Sequence, residues 1–318
     1  MKQNLHSVWK CLCLTLLGYS YSPTSTAQYS ESVSFWEAGI TVGPSNFLGD
    51  LGGNVGKGTS FLKDNNIQTT KLTFGAYATY HPSEYIGVRF AANIGSLEGD
   101  DAVIKGKGGL EEARKTRNSN FKSHLIEGLV ALEVYPTAFL EYEPSDVFRK
   151  LRPYGVVGVG LFNFNPKGKD PVTGNWVALQ PLHTEGQGFP EYPDRKEYKL
   201  TQLNIPMGFG IKYFLSESVN LSLEILHRKT FTDYIDDVST DYIDPSLFYS
   251  NMSLPQAQLA QRMANKSIST SASPGGFVTG NKRGTPTNND AYYSIGFKLG
   301  FRLSNDGYGN STRCPVVF

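Results

Sequence analysis

The residues best suited by type to do chemistry lie in the stretch 230–242, TFTDYIDDVSTDY. Asp233, Asp236, Asp237 and Asp241 supply carboxylates there, interleaved with Phe231, Tyr234 and Tyr242. Closely spaced carboxylates can ligate a hard cation such as Ca²⁺. A calcium loop, however, sets its ligands at alternating positions and closes on a bidentate glutamate, and this run does neither. A solvated acidic loop is the simpler reading, and no metal is expected. His81, His124, His183 and His227 are scattered, and none accompanies a Ser or Cys in a nucleophile motif. The chain has no GxSxG, HExxH or P-loop, and Gly158 and Gly160 do not lead into a helix as a dinucleotide fingerprint must. Neither catalysis nor a cofactor is expected.

A second set of chargeable residues sits inside alternating runs. In 221–228, Leu221, Leu223, Ile225 and His227 point one way, and Ser222, Glu224, Leu226 and Arg228 the other. Arg89 interrupts the run 85–94, and Glu127 and Glu133 the run 121–135. A soluble sandwich rarely turns Glu and Arg into its core. A membrane barrel reverses that arrangement, with apolar side chains facing lipid and polar ones facing the lumen. Arg89, Glu127, Glu133, Glu224 and Arg228 are therefore expected to neutralise one another across strands in a lumen.

Positioning them requires a closed wall. Period-2 patterning predicts strands at 35–42, 69–80, 85–94, 121–135, 153–164, 198–214, 220–228 and 291–303. The clearest is 198–214, where Leu203, Ile205, Met207, Phe209, Ile211 and Tyr213 oppose Gln202, Asn204, Pro206, Gly208, Gly210 and Lys212. Pro206 cannot donate to a ladder and predicts a bulge. The glycines of 153–164 fall on both faces and leave that strand unoriented. The loops after the odd-numbered strands are long, those after the second and sixth are short, and that after the fourth is intermediate. An outer-membrane barrel alternates its connections in this way, with short periplasmic turns and long outer loops. Tyr80, Tyr85, Tyr135, Tyr154, Tyr213 and Phe214 fall at the short-turn end, where an interfacial girdle belongs. A soluble sandwich with Arg89, Glu127, Glu133, Lys212, Glu224, Lys298 and Arg302 in solvent alternates equally well. The opposite faces, however, hold Leu, Ile, Val and Phe for the full strand length. The expected fold is all-β: an eight-stranded antiparallel transmembrane β-barrel over 28–303. A short helix near 255–265 is expected inside the loop 229–290, whose polar remainder is expected to be mobile.

The net charge of +1 gives no reason to expect nucleic acid. No apolar run approaches the ~20 residues of a membrane helix, so any spanning falls to strands. Lys2 and Lys10, the short apolar run 12–17, and Ser25 and Ala27 read as a signal peptide over 1–27. Removing it would leave Cys314, in the polar tail 304–318, as the only cysteine, with no intrachain disulfide.

Five pieces in order, SNFLGD, RPYGVVGVG, IPMGFGIKYF, EILHRKTFTDYIDDVST and AYYSIGFKLGFRL, resemble the PorG-like outer-membrane proteins of Bacteroidetes. The resemblance spans nearly the whole chain beyond residue 27. It implies a cell outer-membrane component of the type IX secretion and gliding apparatus, in contact with lipid and with a periplasmic ring of partner proteins. The loops here are longer than in the shorter members of that family, above all 240–290. The expected function is thus a non-enzymatic barrel that anchors or organises such a complex. Phe231, Asp233, Tyr234, Asp236 and Asp237 form its candidate contact rim. The alternative is a small barrel that binds a ligand or solute through its outer loops. A membrane-embedded hydrolase would need a Ser/His/Asp set at the rim, which the sequence does not assemble.

Overall fold

The computed structural model describes residues 34–51, 67–105, 111–139, 150–216, 218–271 and 273–303. The expected leader, the tail with Cys314, and most of the turn connecting the fourth and fifth strands lie outside the described residues.

Eight long strands form the wall: β1 (Phe35–Leu48), β2 (Lys71–His81), β3 (Ile86–Asp100), β4 (Asn120–Val134), β5 (Leu151–Lys169), β7 (Thr201–Phe214), β8 (Val219–Thr230) and β9 (Ala291–Leu303), with a short β6 (Trp176–Ala178) paired to the outer end of β5. Each wall strand is antiparallel to its neighbours. Pairing of β9 with both β8 and β1 closes the barrel. Closure removes the edge strands that an open sheet of this length would expose.

The alternation is that of a membrane wall. Ile126 and Phe209, each 63% exposed, point outward with Ile40, Val159 and Leu203, whereas Arg89, Glu133 and Lys212 are buried inside. β5 alternates without a bulge: Tyr154, Val156, Phe162 and Phe164 point in, and Val157, Val159 and Leu161 point out.

Several expectations change here. Pro206 makes no bulge. It stays in register opposite Arg228, and the β5–β7 ladder is interrupted between Val157↔Met207 and Gly160↔Asn204 with the register unchanged. Losing one donor is cheaper in this wall than shifting a whole strand face, because a one-residue slip would turn every side chain to the wrong side. Tyr135 and Tyr154 are not girdle residues; both are buried in the lumen. Close approach of the wall makes room for them: a Cβ on Gly210 would lie 2.5 Å from the Tyr154 ring. The loop 229–290 is also not simply mobile polar chain. It folds into α2 (Ser246–Asn251) and α3 (Leu254–Ala264), following α1 (Glu111–Arg117) in chain order. Ala257, Ala260, Met263 and Ala264 form the buried stripe of α3, packed with Phe248, Leu182 and Phe189 in a core of their own.

Candidate functional site

The lumen is filled by two ionic layers. In the layer nearer the short turns, the Arg89 guanidinium donates to Glu224 through Nη1 and Nη2 at 2.9 and 2.6 Å and to Glu133 through Nε at 2.5 Å. Lys212 Nζ donates to both Glu37 oxygens, at 3.1 and 2.8 Å, and to the Tyr135 hydroxyl at 3.0 Å. Tyr77 donates to Glu37 and Tyr154 to Glu224, while Tyr135 donates to Glu133. Lys298 Nζ reaches Glu224 at 3.4 Å. The second layer centres on Glu127, which accepts from Arg228, Asn93, Asn204 and Tyr292. Buried carboxylates are tolerable only when paired and hydrogen-bonded in this way.

The five charges expected in the lumen are all there, divided between the layers: Arg89, Glu133 and Glu224 in one, Glu127 and Arg228 in the other. Glu37 and the tyrosines were not anticipated. For Glu37 the signal was parity alone, since it alternates with Trp36 and Ala38. Arg302, on the same alternating face as Lys298, is exposed at the end of β9, with its guanidinium 4.1 Å from the Phe35 ring centroid. A void of ≈ 20 Å³ bordered by Arg89, Asn93, Arg228 and Lys298 lies between the layers, room for about one water.

Above these layers the interior becomes apolar. Phe47, Leu97, Phe121, Leu125, Phe162, Phe164 and Tyr292 pack together, and Ile235 and Val238 fill the mouth over them. The acidic stretch is the frame of this plug. Leu51 N–H donates to Asp236 Oδ2 at 2.9 Å, Val238 N–H to Asp236 Oδ1 at 3.0 Å, and Ile235 N–H to Asp290 Oδ2 at 2.8 Å. The Tyr198 hydroxyl donates to Asp237 at 2.7 Å, and Arg283 Nη2 lies 3.6 Å from the same carboxylate. Asp237 itself adopts φ 65°, the left-handed region that a short polar side chain tolerates in a tight turn.

This corrects the candidate contact rim. Asp233, Asp236 and Asp237 are buried, and the Tyr234 ring stacks on Tyr198 at 4.8 Å; Phe231 alone of the five is well exposed. Burial pushes the Asp233 carboxyl up to about 7 and Asp237 up to about 6. Among the described residues no three His, Cys, Asp or Glu side chains converge to hold a metal ion.

Loops above the plug form a cap. Asp50, Arg114, Arg117, Phe277, Lys282 and Arg283 line a cleft of ≈ 430 Å³ in it. Arg117 forms the cleft's rigid side. Its Nε and Nη2 donate to Asp101 at 2.8 and 3.0 Å, and its Nη1 to the Arg283 carbonyl at 2.9 Å.

A closed eight-stranded barrel with an apolar outer belt and an ion-paired interior defines the small outer-membrane barrel class. No helix among the described residues is long and apolar enough to cross a membrane. The chain matches the outer membrane protein beta-barrel domain over residues 14–250, and it belongs to that family. Comparison with curated proteins gives no match. Among solved structures it is similar to Neisserial surface protein A, at 8% identity over 85% of this chain and 99% of that one, with a TM-score of 0.35. OprG of Pseudomonas aeruginosa matches at 13% identity, 85% and 96% coverage and a TM-score of 0.31. Outer membrane protein W of E. coli matches at 13% identity, 86% and 100% coverage and a TM-score of 0.29.

Proposed function

We propose that this outer-membrane barrel works without catalysis, by holding other proteins. In this reading it anchors or organises a secretion or gliding complex of the type IX kind, as the PorG-like resemblance implies. The observation that carries the reading is the packed lumen. With both ionic layers in place and a void of ≈ 20 Å³ between them, a solute has no route through the wall. Function then falls to the surfaces outside the membrane. The short-turn end offers a periplasmic partner a mixed surface: Leu215 is exposed, and Arg152 pairs loosely with Glu84 at 3.2 Å.

A second reading, ligand binding through the outer loops, is favoured by the ≈ 430 Å³ cleft, whose size suits a small molecule. Affinity purification of the full chain from gently solubilised outer membrane separates the two. Co-recovery of periplasmic ring components, with loss of secretion or gliding on deletion, is the expected result. Recovery alone, with secretion and gliding intact in the deletion strain, overturns the anchor reading in favour of the second.

A further inference from the structure

Among the described residues, the roof of the barrel gathers four carboxyl groups that no cation pairs with, three of them buried and Asp50 half-buried. Asp50, Asp233, Asp236 and Asp290 come together from the end of β1, the loop after β8 and the segment before β9. None of the four makes an ion pair within the described residues. Their hydrogen bonds come chiefly from backbone N–H groups of Leu51, Thr285, Ile235 and Val238. Asp290 is 1% exposed, and its Oδ1, set against Gly49, finds no donor among the described residues.

The two buried arginines facing this cluster are engaged elsewhere. Arg117, at the end of α1, is held bidentate by Asp101 and gives its remaining N–H groups to backbone carbonyls of Asp50 and Arg283. Arg283 is held by Glu185, from the loop before β7, and by Asp237. Lys282 lies at the surface beside Asp50, and the Ser239 hydroxyl is the polar neighbour of Asp233. The carboxylates do not converge as a metal site would. Among the described residues, a buried acceptor with no donor, in a cluster whose buried cations are all held by other carboxylates, points to a missing proton.

We propose that Asp50, Asp233, Asp236 and Asp290 form a proton latch that seats the 231–239 turn in the barrel mouth and releases it when the group ionises. The same groups that share the protons also hold the turn. Asp236 takes the Leu51 and Val238 amides and Asp290 takes the Ile235 amide, so repulsion between these two carboxylates acts directly on the plug residues. Burial raises Asp290 and Asp236 well above the usual carboxylate range; the neighbouring carboxylates add to it, Asp236 foremost for Asp290 and Asp50 for Asp236. A carboxyl raised in the folded state stabilises that state fully at low pH, and the contribution is lost as pH rises through the raised value. Asp233, at about 7, places that loss near neutral pH. Release would bare Phe121, Phe162 and Phe164 while the ionic layers below still close the lumen. The latch therefore governs an apolar surface and leaves conduction untouched.

Hydrogen exchange of the full chain in lipid nanodiscs, corrected for the intrinsic pH dependence of amide exchange, tests this. Protection of the Ile235 and Leu51 amides should fall by about tenfold or more between acidic and mildly alkaline pH, while that of Leu129 in the wall stays constant. In the D236N/D290N chain the protection of Ile235 should not change with pH; Leu51 is left out of that comparison, because Asp236 accepts through both oxygens and an Asn side chain has one. Equal protection of Ile235 at the two pH values in the unaltered chain overturns the latch, as does a loss that D236N/D290N reproduces in full. If the double variant gives no heat-modifiable barrel, D290N alone decides: a smaller loss supports the latch, and a loss of unchanged size overturns it.

Discussion

The same strands build two interiors of opposite polarity. Along β4, the inward residues near the short turns include the carboxylates Glu127 and Glu133, with Leu129 and Ala131 between them, and those near the long loops include Phe121 and Leu125, with Ser123 between them. The outward residues reverse in the same place, from Ile126, Val130 and Leu132 to Lys122 and His124. β3 and β5 repeat the change: outward Ile94 gives way to Ser96 and Glu98, and outward Leu161 to Asn163 and Lys167. The lower barrel is built for lipid outside, and the upper barrel for water outside. The boundary of the membrane is thus written into a single strand, as the position where the two faces exchange character. Different forces hold the two parts. Ion pairs, set around a small apolar cluster of Leu129, Val156 and Leu226, fix the lower interior, and apolar burial dominates the upper one.

The largest effect should come from breaking the lower interior. Arg89→Ala leaves Glu133 and Glu224 buried without their main partner, and removing one member of a buried ion pair costs about 3–5 kcal/mol. Urea titration of heat-modifiable migration in detergent should show that loss. A midpoint within error of the unaltered chain would mean that water enters the lumen and screens the layer.

The alternation that defines the lower barrel was legible because it is local: a period of two needs no knowledge of partners. The upper barrel was harder to read. Gly43 and Pro44 read as the start of a Gly-rich loop, yet β1 runs through them to Leu48, with the β9 ladder resuming at Ser45↔Ser294. The run NPKGK at the end of β5 has loop composition and is held as strand by β4 on one side and β6 on the other. The acidic stretch was misread for a related reason. Its carboxylates are buried by groups far away in sequence, such as Leu51, Tyr198 and Arg283. The two residues that could have revealed the burial, Ile235 and Val238, stand between them as lone apolar side chains with no periodicity to flag them.

The next test places one charge on each outer surface of the same strand. Ile126→Lys puts an ammonium on the lipid face and should cost about 1–3 kcal/mol, depending on its depth. His124→Lys, two residues away on the same face, lies where the surface is already polar and should change stability by less than about 0.5 kcal/mol. The difference between the two variants, read from the same urea midpoints, locates the boundary. Equal costs would move the boundary off this pair of residues.

The smallest effect sharpens the comparison from the other side. Lys71, the first residue of β2, and Glu98 of β3 pair at 2.8 Å beyond the apolar belt, with both side chains partly exposed. An ion pair in that setting is screened by water and by salt, and it gives up side-chain freedom to hold one geometry. Lys71→Met should therefore cost less than about 1 kcal/mol, against the several expected for Arg89→Ala, although both changes remove one cation from one carboxylate cluster. The contrast isolates the solvent as the cause. If Lys71→Met were as damaging as Arg89→Ala, the strand ends beyond Ile94 and Ile126 would have to lie in lipid rather than water. The exchange of polarity along β3 and β4 would then mark something other than the membrane surface.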